Sequence, residues 1–342
     1  MFYTTIIFNA ITILEKVIFV QNNTYLDLYT SYNSQLPLVI IKLSQLNDFL
    51  FYIFLATFPT KEEIKMPMIL FVILQTITIL SGGRSQAVTA ILFAIAYIIY
   101  REYQTRKNNG GKNVWIKKTY IVFGVILLPF VIAFLGAYNS LRNNIKLQNI
   151  SITQQILDFF YSQGTSINIL GYVKMYEDML HNTNITYVFE PIIAFFREGI
   201  IGRILGFSPL EGNTVQMALY GNNLGATISY LVMPDLYLKG HGLGTQYIAE
   251  LYVDFGYLGV FLFNILLGML LKIITFNTNK KWYWTAICIS IIRLIFFMPR
   301  DFTLSWTTAF YSITNWTTIL LVTLVSRIIK KGESKNENTL DS

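Results

Sequence analysis

Two carboxylates lie four residues apart at the start of a long apolar run. Glu250 and Asp254 follow the glycine-rich segment Gly240–Gly244, and on a helix this spacing places both side chains on one face. A carboxylate at a membrane helix is costly, so it is a functional candidate by default. Either acid could take a proton as a general base. Favourable placement of acids near a helix N-terminus is the structural alternative.

A histidine lies inside the same glycine-rich segment. His241 stands between Gly240 and Gly242, which is not the setting of a buried core histidine. Its imidazole could bind sugar hydroxyls or accept a proton, and simple exposure to solvent is the alternative. His241 therefore joins Glu250 and Asp254 as a third candidate base.

Arg84 follows two glycines at the start of a predicted helix, in the run Ser81-Gly82-Gly83-Arg84. Helix N-terminal amides and a guanidinium can converge on the oxygens of a phosphate. Contact with lipid headgroups is the alternative. An arginine on the outer side of a membrane runs against the usual charge bias. The turn therefore predicts an anion site.

Arg300 and Arg293 are further candidates for binding an anion. Arg300 lies beside Asp301 in a short turn between two apolar runs, where an ion pair that stabilises the turn is the alternative. Arg293 lies about two helical turns earlier, within an apolar run, and an intramembrane arginine is a functional candidate.

Arg197 and Arg203 lie on an apolar, glycine-containing segment, 196–203. One interpretation is a helix that holds substrate at the membrane surface. The other is an amphipathic helix whose arginines meet anionic lipids. The sequence leaves both interpretations open.

The residue inventory excludes several kinds of site. A single cysteine and two histidines support neither a disulfide framework nor a thiolate or histidine-rich metal centre. The adjacent acids Glu177 and Asp178 are a weak metal signal, and no phosphate-binding loop of the P-loop kind is present. We therefore expect no metal and no cofactor. We also expect no binding of nucleic acid, because most basic residues lie in short loops between apolar runs.

Composition indicates an all-α, polytopic membrane protein. The 342 residues are 54% hydrophobic and 13% charged, whereas soluble domains carry about 25% charged residues. Windows of bilayer length predict about eight spans. They fall at 2–20, 37–58, 66–81, 85–100, 119–138, 251–275, 282–299 and 307–329.

The distribution of basic residues predicts the orientation. Segment 101–118 is rich in Lys and Arg, which places it in the cytoplasm, and an even number of spans then puts both termini there. Region 139–250 becomes a large extracytoplasmic region of short interfacial or re-entrant helices, and a connection of this length is usually functional. We predict one integral membrane domain over 1–331 and a polar cytoplasmic tail over 332–342.

Two segments resemble a known family. Asn222–Tyr230 and Tyr237–Gly259 look like the signature block of Wzy-type oligosaccharide repeat-unit polymerases, and Ser81–Ser85 resembles the glycine–arginine turn of that family. The resemblance runs from about residue 36 to the last span and is specific around 220–268. O-antigen ligases carry a histidine–asparagine pair where this chain has Gly244 and Thr245. That difference favours a polymerase.

The resemblance implies a GT-C-like fold and a role in assembling bacterial capsule, exopolysaccharide or O-antigen at the cytoplasmic membrane. It implies transfer of a growing glycan from undecaprenyl pyrophosphate to a lipid-linked repeat unit, without cofactor or metal. The implied partners are that lipid-linked oligosaccharide, membrane lipids, and a chain-length regulator and flippase of the same pathway. Family members are usually longer, which leads us to expect a short or N-terminally truncated member.

The implied chemistry gives the candidates their roles. We expect Glu250 to be the base that takes the proton of the attacking hydroxyl, with Asp254 or His241 as substitutes. We expect Arg84 and Arg300 to bind the pyrophosphate. A transporter of lipid-linked oligosaccharides is the alternative, although such proteins more often show inverted repeats and broken helices at mid-membrane. An O-antigen ligase-like transferase is the other alternative.

Overall fold

The computed structural model describes residues 1–108, 115–142, 151–181, 186–276 and 281–340. These residues are mostly helical, and no β-strand occurs among them. The predicted all-α, polytopic class is confirmed. Its GT-C-like character stays a prediction.

Within the described residues, eight long helices, labelled α1–α8, occupy the positions of the predicted spans. They are α1 (Phe2–Asn22), α2 (Leu38–Gln45 and Asn47–Ala56, joined at Leu46), α3 (Lys61–Ile77), α4 (Ser85–Asn108), α5 (Lys118–Arg142), α6 (Tyr247–Phe276), α7 (Trp282–Phe297) and α8 (Ile313–Leu340). Helix α3 begins with a capping box, in which Thr60 N donates to Glu63 at 2.7 Å and Glu63 N donates back to Thr60 Oγ1 at 3.4 Å.

Seven segments of the described chain are long and apolar enough to cross a membrane. They are Phe2–Asn22, Leu38–Ala56, Lys61–Ser81, Ile121–Tyr138, Tyr247–Ile274, Trp282–Arg300 and Ser305–Lys331. The predicted span at 85–100 forms α4 but is not one of the seven. Its apolar stretch is bounded by Arg84 and Arg101, which leaves it short for a bilayer of ordinary thickness.

The core of the bundle lies between α2, α3, α4 and α7. Helix α7 packs along α2 and α4, and α3 packs along α4. Phe51, Phe71 and Phe93 are at most 1% exposed, and the rings of Phe51 and Phe71 stack at 4.3 Å. In a membrane the stabilisation comes from such close packing and from buried hydrogen bonds.

The loop after α2 and the segment after α4 lie at the same end of the bundle. Arg101 donates to the Pro59 carbonyl at 3.0 Å, and its guanidinium lies 5.2 Å from the Phe58 ring and 5.0 Å from the Trp115 ring. Alternating spans predict this shared end. Since α4 runs from Ser85 to Asn108, Arg84 lies at the opposite end of that helix.

Short helices make up most of the described part of region 139–250, and residues 143–150 and 182–185 lie outside the described residues. The helices are Ile152–Gly164, Asn168–Met175, Glu177–His181, Glu190–Glu198, Ile200–Ile204, Val215–Tyr220, Leu224–Val232 and Pro234–Leu238. A second hydrophobic cluster, which includes Ile169, Val173, Leu224 and Ile228, packs several of them against Ala249 and Val253 of α6. The region is therefore packed onto the start of α6.

Candidate functional site

The two segments singled out around 222–259 pack directly against each other. A Cβ on Gly225 would lie 2.7 Å from the Gly244 carbonyl carbon, so only glycine allows this approach of helix Leu224–Val232. The hydroxyl of Ser229 accepts a hydrogen bond from Leu243 N at 2.9 Å and donates to Gly225 O at 2.5 Å. Helix Leu224–Val232 thus fixes the path of the glycine-rich segment.

The glycine-rich segment presents His241 on a constrained turn. Gly240 and Gly244 have φ of 94° and 78°, values that favour glycine. Asn213 Nδ2 donates to the carbonyls of Tyr237 at 2.9 Å and His241 at 3.3 Å. The backbone of His241 is therefore held in place while its side chain is exposed.

Glu250 connects the start of α6 to the turn that follows α7. Its side chain is fully buried and accepts three hydrogen bonds: from Thr245 Oγ1 at 2.6 Å, and from the backbone N and Oγ1 of Thr303 at 2.8 Å each. Both carboxylate oxygens thus have protein partners.

Asp254 holds a different part of the chain. Its carboxylate accepts hydrogen bonds from Tyr187 N and Val188 N, each at 2.8 Å. Two residues later, Gly256 has φ 63° and ψ −163° and interrupts α6. Glu250 and Asp254 therefore lie on one short helical stretch but bind different segments.

Arg84 lies at a turn that requires glycine. Gly82 has φ 93°, and a Cβ there would lie 2.0 Å from the Tyr25 ring, so the tyrosine packs directly on the glycine. Arg84 is half-buried, and its Nη1 donates to the Leu135 carbonyl of α5 at 3.0 Å.

Arg300 and Asp301 form the turn after α7, where a 3-10 turn spans Met298–Arg300. Arg300 is exposed and Asp301 is half-buried. Burial raises the pKa of the Asp301 carboxyl, against the lowering effect of the hydrogen bond from Phe302 N. Because Thr303 follows in the same turn, Glu250 anchors this turn to α6.

One cavity brings distant parts of the chain together. It has a volume of about 1690 Å³ and is lined by Arg84, His241, Arg300, Asp301 and Lys16, among other residues. Of the three candidate bases, His241 lines this cavity, whereas Glu250 and Asp254 do not. The arrangement combines guanidinium groups, which suit phosphate oxygens, with a proton acceptor.

Arg293 belongs to a polar network inside the bundle. Its Nη1 donates to Asp48 Oδ2 at 2.6 Å and to Tyr52 OH at 2.9 Å, and its Nη2 donates to Gln75 Oε1 at 3.0 Å. The guanidinium also lies 5.2 Å from the Phe71 ring. These contacts connect α7 to α2 and α3 beside a second cavity of about 440 Å³.

Arg197 and Arg203 do not line the large cavity. Arg197 forms an ion pair with the neighbouring Glu198 at 3.1 Å, and its side chain is 17% exposed. Arg203 is exposed on the short helix Ile200–Ile204.

Several cavity or cluster residues are absent from the sequence-based candidates. Lys16 of α1 and Asp48 of α2 line the cavity, and each is an ionisable residue within a predicted span, a signal that could have identified both. Glu190 carries no such signal. It is 8% exposed, and burial, followed by the charge of Glu198, raises its pKa to about 7.

No three His, Cys, Asp or Glu side chains cluster as a metal site within the described ranges. The expectation of a metal-independent reaction rests on the sequence alone.

Comparison with known proteins gives one clear result. No curated protein and no solved structure matches the chain. A family model, described as O-antigen polysaccharide polymerase Wzy, matches residues 1–333. The match includes both segments that pack at Gly225 and Gly244, the Gly82–Arg84 turn and the turn that contains Arg300. The chain belongs to the O-antigen polysaccharide polymerase Wzy family.

Proposed function

We propose that the protein transfers a glycan chain from undecaprenyl pyrophosphate to a lipid-linked repeat unit on the outer side of the bacterial cytoplasmic membrane. The family is one of O-antigen polymerases. The donor, the acceptor and the side of the membrane are parts of our proposal. The main support is that Arg84, His241 and Arg300, which are far apart in sequence, line one cavity.

The reaction needs a base and a group that stabilises the departing charge. The oxygen of an acceptor hydroxyl attacks the anomeric carbon of the donor sugar, and its proton passes to the base. The bond between that carbon and the pyrophosphate oxygen breaks, and undecaprenyl pyrophosphate leaves with the electron pair. A positioned base contributes roughly 10²–10⁴-fold in rate.

Arg84 and Arg300 are the proposed pyrophosphate ligands. Both line the cavity, and a guanidinium can bind two phosphate oxygens with a planar pair of donors. A hydrogen bond to a charged group contributes about 1.5–3 kcal/mol. Two such residues would stabilise the charge that grows on the pyrophosphate as the sugar departs.

His241 is the proposed base. The sequence ranks Glu250 first, but the burial of Glu250 and its hydrogen bonds to Thr245 and Thr303 support a positioning role. Asp254, which binds two backbone amides, fits a similar role. His241, by contrast, is exposed and lines the cavity. Its imidazole is therefore accessible to a hydroxyl group of the substrate.

The other arginines fit supporting roles. Arg293, with its contacts to Asp48 and Gln75, would hold three helices in the arrangement that shapes the cavity. Arg203, which is exposed, would meet anionic lipid headgroups at the membrane surface, whereas Arg197 would stay paired with Glu198. We further propose cytoplasmic termini, and a chain-length regulator and flippase as pathway partners, on the grounds of charge distribution and family.

The function is tested with purified protein and its lipid-pyrophosphate repeat unit, without nucleotide sugar or metal. The products are separated on a gel. A ladder spaced by one repeat supports the proposal. Movement of repeat units across vesicle membranes without a ladder would favour a transporter, and transfer only to a different lipid acceptor would favour a ligase.

A further inference from the structure

The loop between α1 and α2, residues 23–37, forms one wall of the large cavity. Three tyrosines of this loop, Tyr25, Tyr29 and Tyr32, line the cavity together with Thr24 and Leu28. Sequence patterns do not single out this loop, because it contains none of the candidate acids or arginines. Its position beside Arg84 and His241 raises the question of what the tyrosines bind.

Glu15 of α1 fixes the second half of the loop. Its carboxylate accepts hydrogen bonds from Tyr32 OH at 2.7 Å, Ser34 Oγ at 2.6 Å and Gln35 N at 2.7 Å. Burial, together with the bond to Glu15, raises the pKa of Tyr32 to about 12, so the phenol stays protonated and keeps donating. The ring of Tyr32 also packs edge-on against Phe19 at 5.1 Å.

Asp27 fixes the first half of the loop. Its carboxylate accepts hydrogen bonds from the backbone N and the hydroxyl of Thr24, both at 2.7 Å, and these bonds lower its pKa. One helical turn, Asp27–Thr30, follows. The rings of Tyr25 and Tyr29 meet at 5.4 Å, with their hydroxyl oxygens 2.7 Å apart. The tyrosines are therefore held in a defined arrangement before any ligand binds.

The loop contacts both glycine turns of the site. The Tyr25 ring packs on Gly82. A Cβ added to Gly240 would lie 2.9 Å from the methyl group of Thr30. The loop that carries the tyrosines therefore lies between the turn that carries Arg84 and the segment that carries His241. A sugar attached to a pyrophosphate at Arg84 and attacked near His241 has to pass along this wall.

Tyrosine suits a sugar better than it suits a lipid tail or a phosphate. Its ring offers a flat apolar face and its hydroxyl offers a hydrogen bond, and binding pockets combine such faces with a few polar groups. Tyr29 is 62% exposed, so its ring is accessible to a ligand. Asn213, Asn223 and Ser229 line the same cavity and supply polar groups for sugar hydroxyls.

We propose that Tyr25, Tyr29 and Tyr32 form a carbohydrate-binding wall that positions the glycan of the substrate between Arg84 and His241. This inference rests on the proposed function, because it assigns the sugar part of that substrate to these residues. Tyr29 is the member of the wall whose ring is most available for stacking.

The test measures binding of free oligosaccharide, without catalysis. The probe is the repeat-unit oligosaccharide released by mild acid from the lipid-linked intermediate, titrated into the purified full-length protein by saturation-transfer NMR. Tyr29→Ala should weaken binding about tenfold, whereas Tyr29→Phe, which keeps the ring, should stay within about threefold. Tyr3→Ala is the control, because Tyr3 is similarly exposed at 55% and does not line the cavity.

The outcomes separate this inference from the proposed function. Wild-type affinity in Tyr29→Ala, or no binding of the oligosaccharide to the wild-type protein, would overturn the carbohydrate wall. A third outcome is also possible: Tyr29→Ala loses oligosaccharide binding, Tyr3→Ala keeps it, and the wild-type protein makes no ladder. This result would support the carbohydrate wall and overturn the transfer reaction. If Tyr29→Ala does not fold, Tyr29→Leu provides the same test with the apolar bulk retained.

Discussion

Thr303 donates two hydrogen bonds to Glu250, one from its backbone N and one from its hydroxyl, both at 2.8 Å. This contact joins the first turn of α6 to the turn after α7, 53 residues later in the chain. It places the segment that carries His241 and the turn that carries Arg300 in a fixed relationship. A carboxylate that holds two parts of a site together differs in its effects from one that moves protons.

Glu250→Gln is expected to lower both stability and polymer formation. The glutamine oxygen can accept both bonds from Thr303, but its amide nitrogen then faces Thr245 Oγ1, and the bonds to a charged carboxylate become weaker bonds to a neutral amide, at a cost of about 1 kcal/mol. Thermal unfolding of the purified variant measures the loss. Thr303→Ser, which keeps both donors, is the matched control and should behave like the wild type. Loss of turnover at wild-type stability in Glu250→Gln would instead indicate the base.

Arg84→Ala is expected to abolish most polymer, and Arg84→Lys is expected to restore little. Lysine keeps the charge but lacks the planar pair of donors that binds two phosphate oxygens. Polymer length in cells, at matched protein level, measures the effect. Arg203→Ala is the control, because Arg203 is exposed and lies away from the cavity. Normal polymer in Arg84→Ala cells would remove Arg84 from the site.

His241→Ala is expected to lower kcat by about 10²-fold or more, as for the loss of a general base. Added imidazole should restore part of the rate, since the side chain is exposed in a cavity large enough to admit it. Chain extension with purified protein measures both effects. A variant with unchanged kcat would contradict the assignment and return attention to Glu250.

Gly225→Ala is expected to reduce stability and polymer together. The added Cβ would lie 2.7 Å from the Gly244 backbone, so the glycine-rich segment has to shift. Gly171→Ala is the control, since Gly171 is also helical and a Cβ there meets nothing within 4 Å. The control should be neutral or more stable by roughly 0.5–1 kcal/mol. Similar behaviour of both variants would show that this backbone contact is unimportant.

Glu190 is expected to make stability depend on pH. Its pKa in the folded protein is about 7, against an ordinary value of 4.5. Stability from this group is therefore complete below pH 4.5 and is lost as pH rises through 7, by on the order of 3 kcal/mol. As the pH rises from 4.5 to 7, the thermal midpoint of the wild type should decrease relative to that of Glu190→Gln. Parallel curves for the two proteins would contradict this environment for Glu190.

Local patterns in the sequence predict much of the fold. The apolar windows predict about eight spans, seven of which match described segments long enough to cross a membrane, and the glycine pair before Arg84 marks the turn at Gly82 that precedes α4. The capping box at Thr60 and Glu63, which begins α3 before the predicted span at 66–81, is also a local pattern. Each of these features depends on residues that are neighbours in the chain.

Contacts between distant residues are what the sequence does not reveal. Arg293 pairs with Asp48 across 245 positions, and Glu250 with Thr303 across 53. Each acid or arginine looks like a free functional group until its partner is known. The tyrosines of the loop after α1 carry no charge and lie outside the predicted spans, so only the fold shows that they line the cavity.

The central claim is that the cavity holds the pyrophosphate of the substrate between Arg84 and Arg300. An experimental structure with undecaprenyl pyrophosphate bound tests it most directly. We predict phosphate oxygens at about 2.7–2.9 Å from both guanidiniums, with the first sugar position directed toward His241. Phosphates bound instead at Arg197 and Arg203, outside the cavity, would contradict the account.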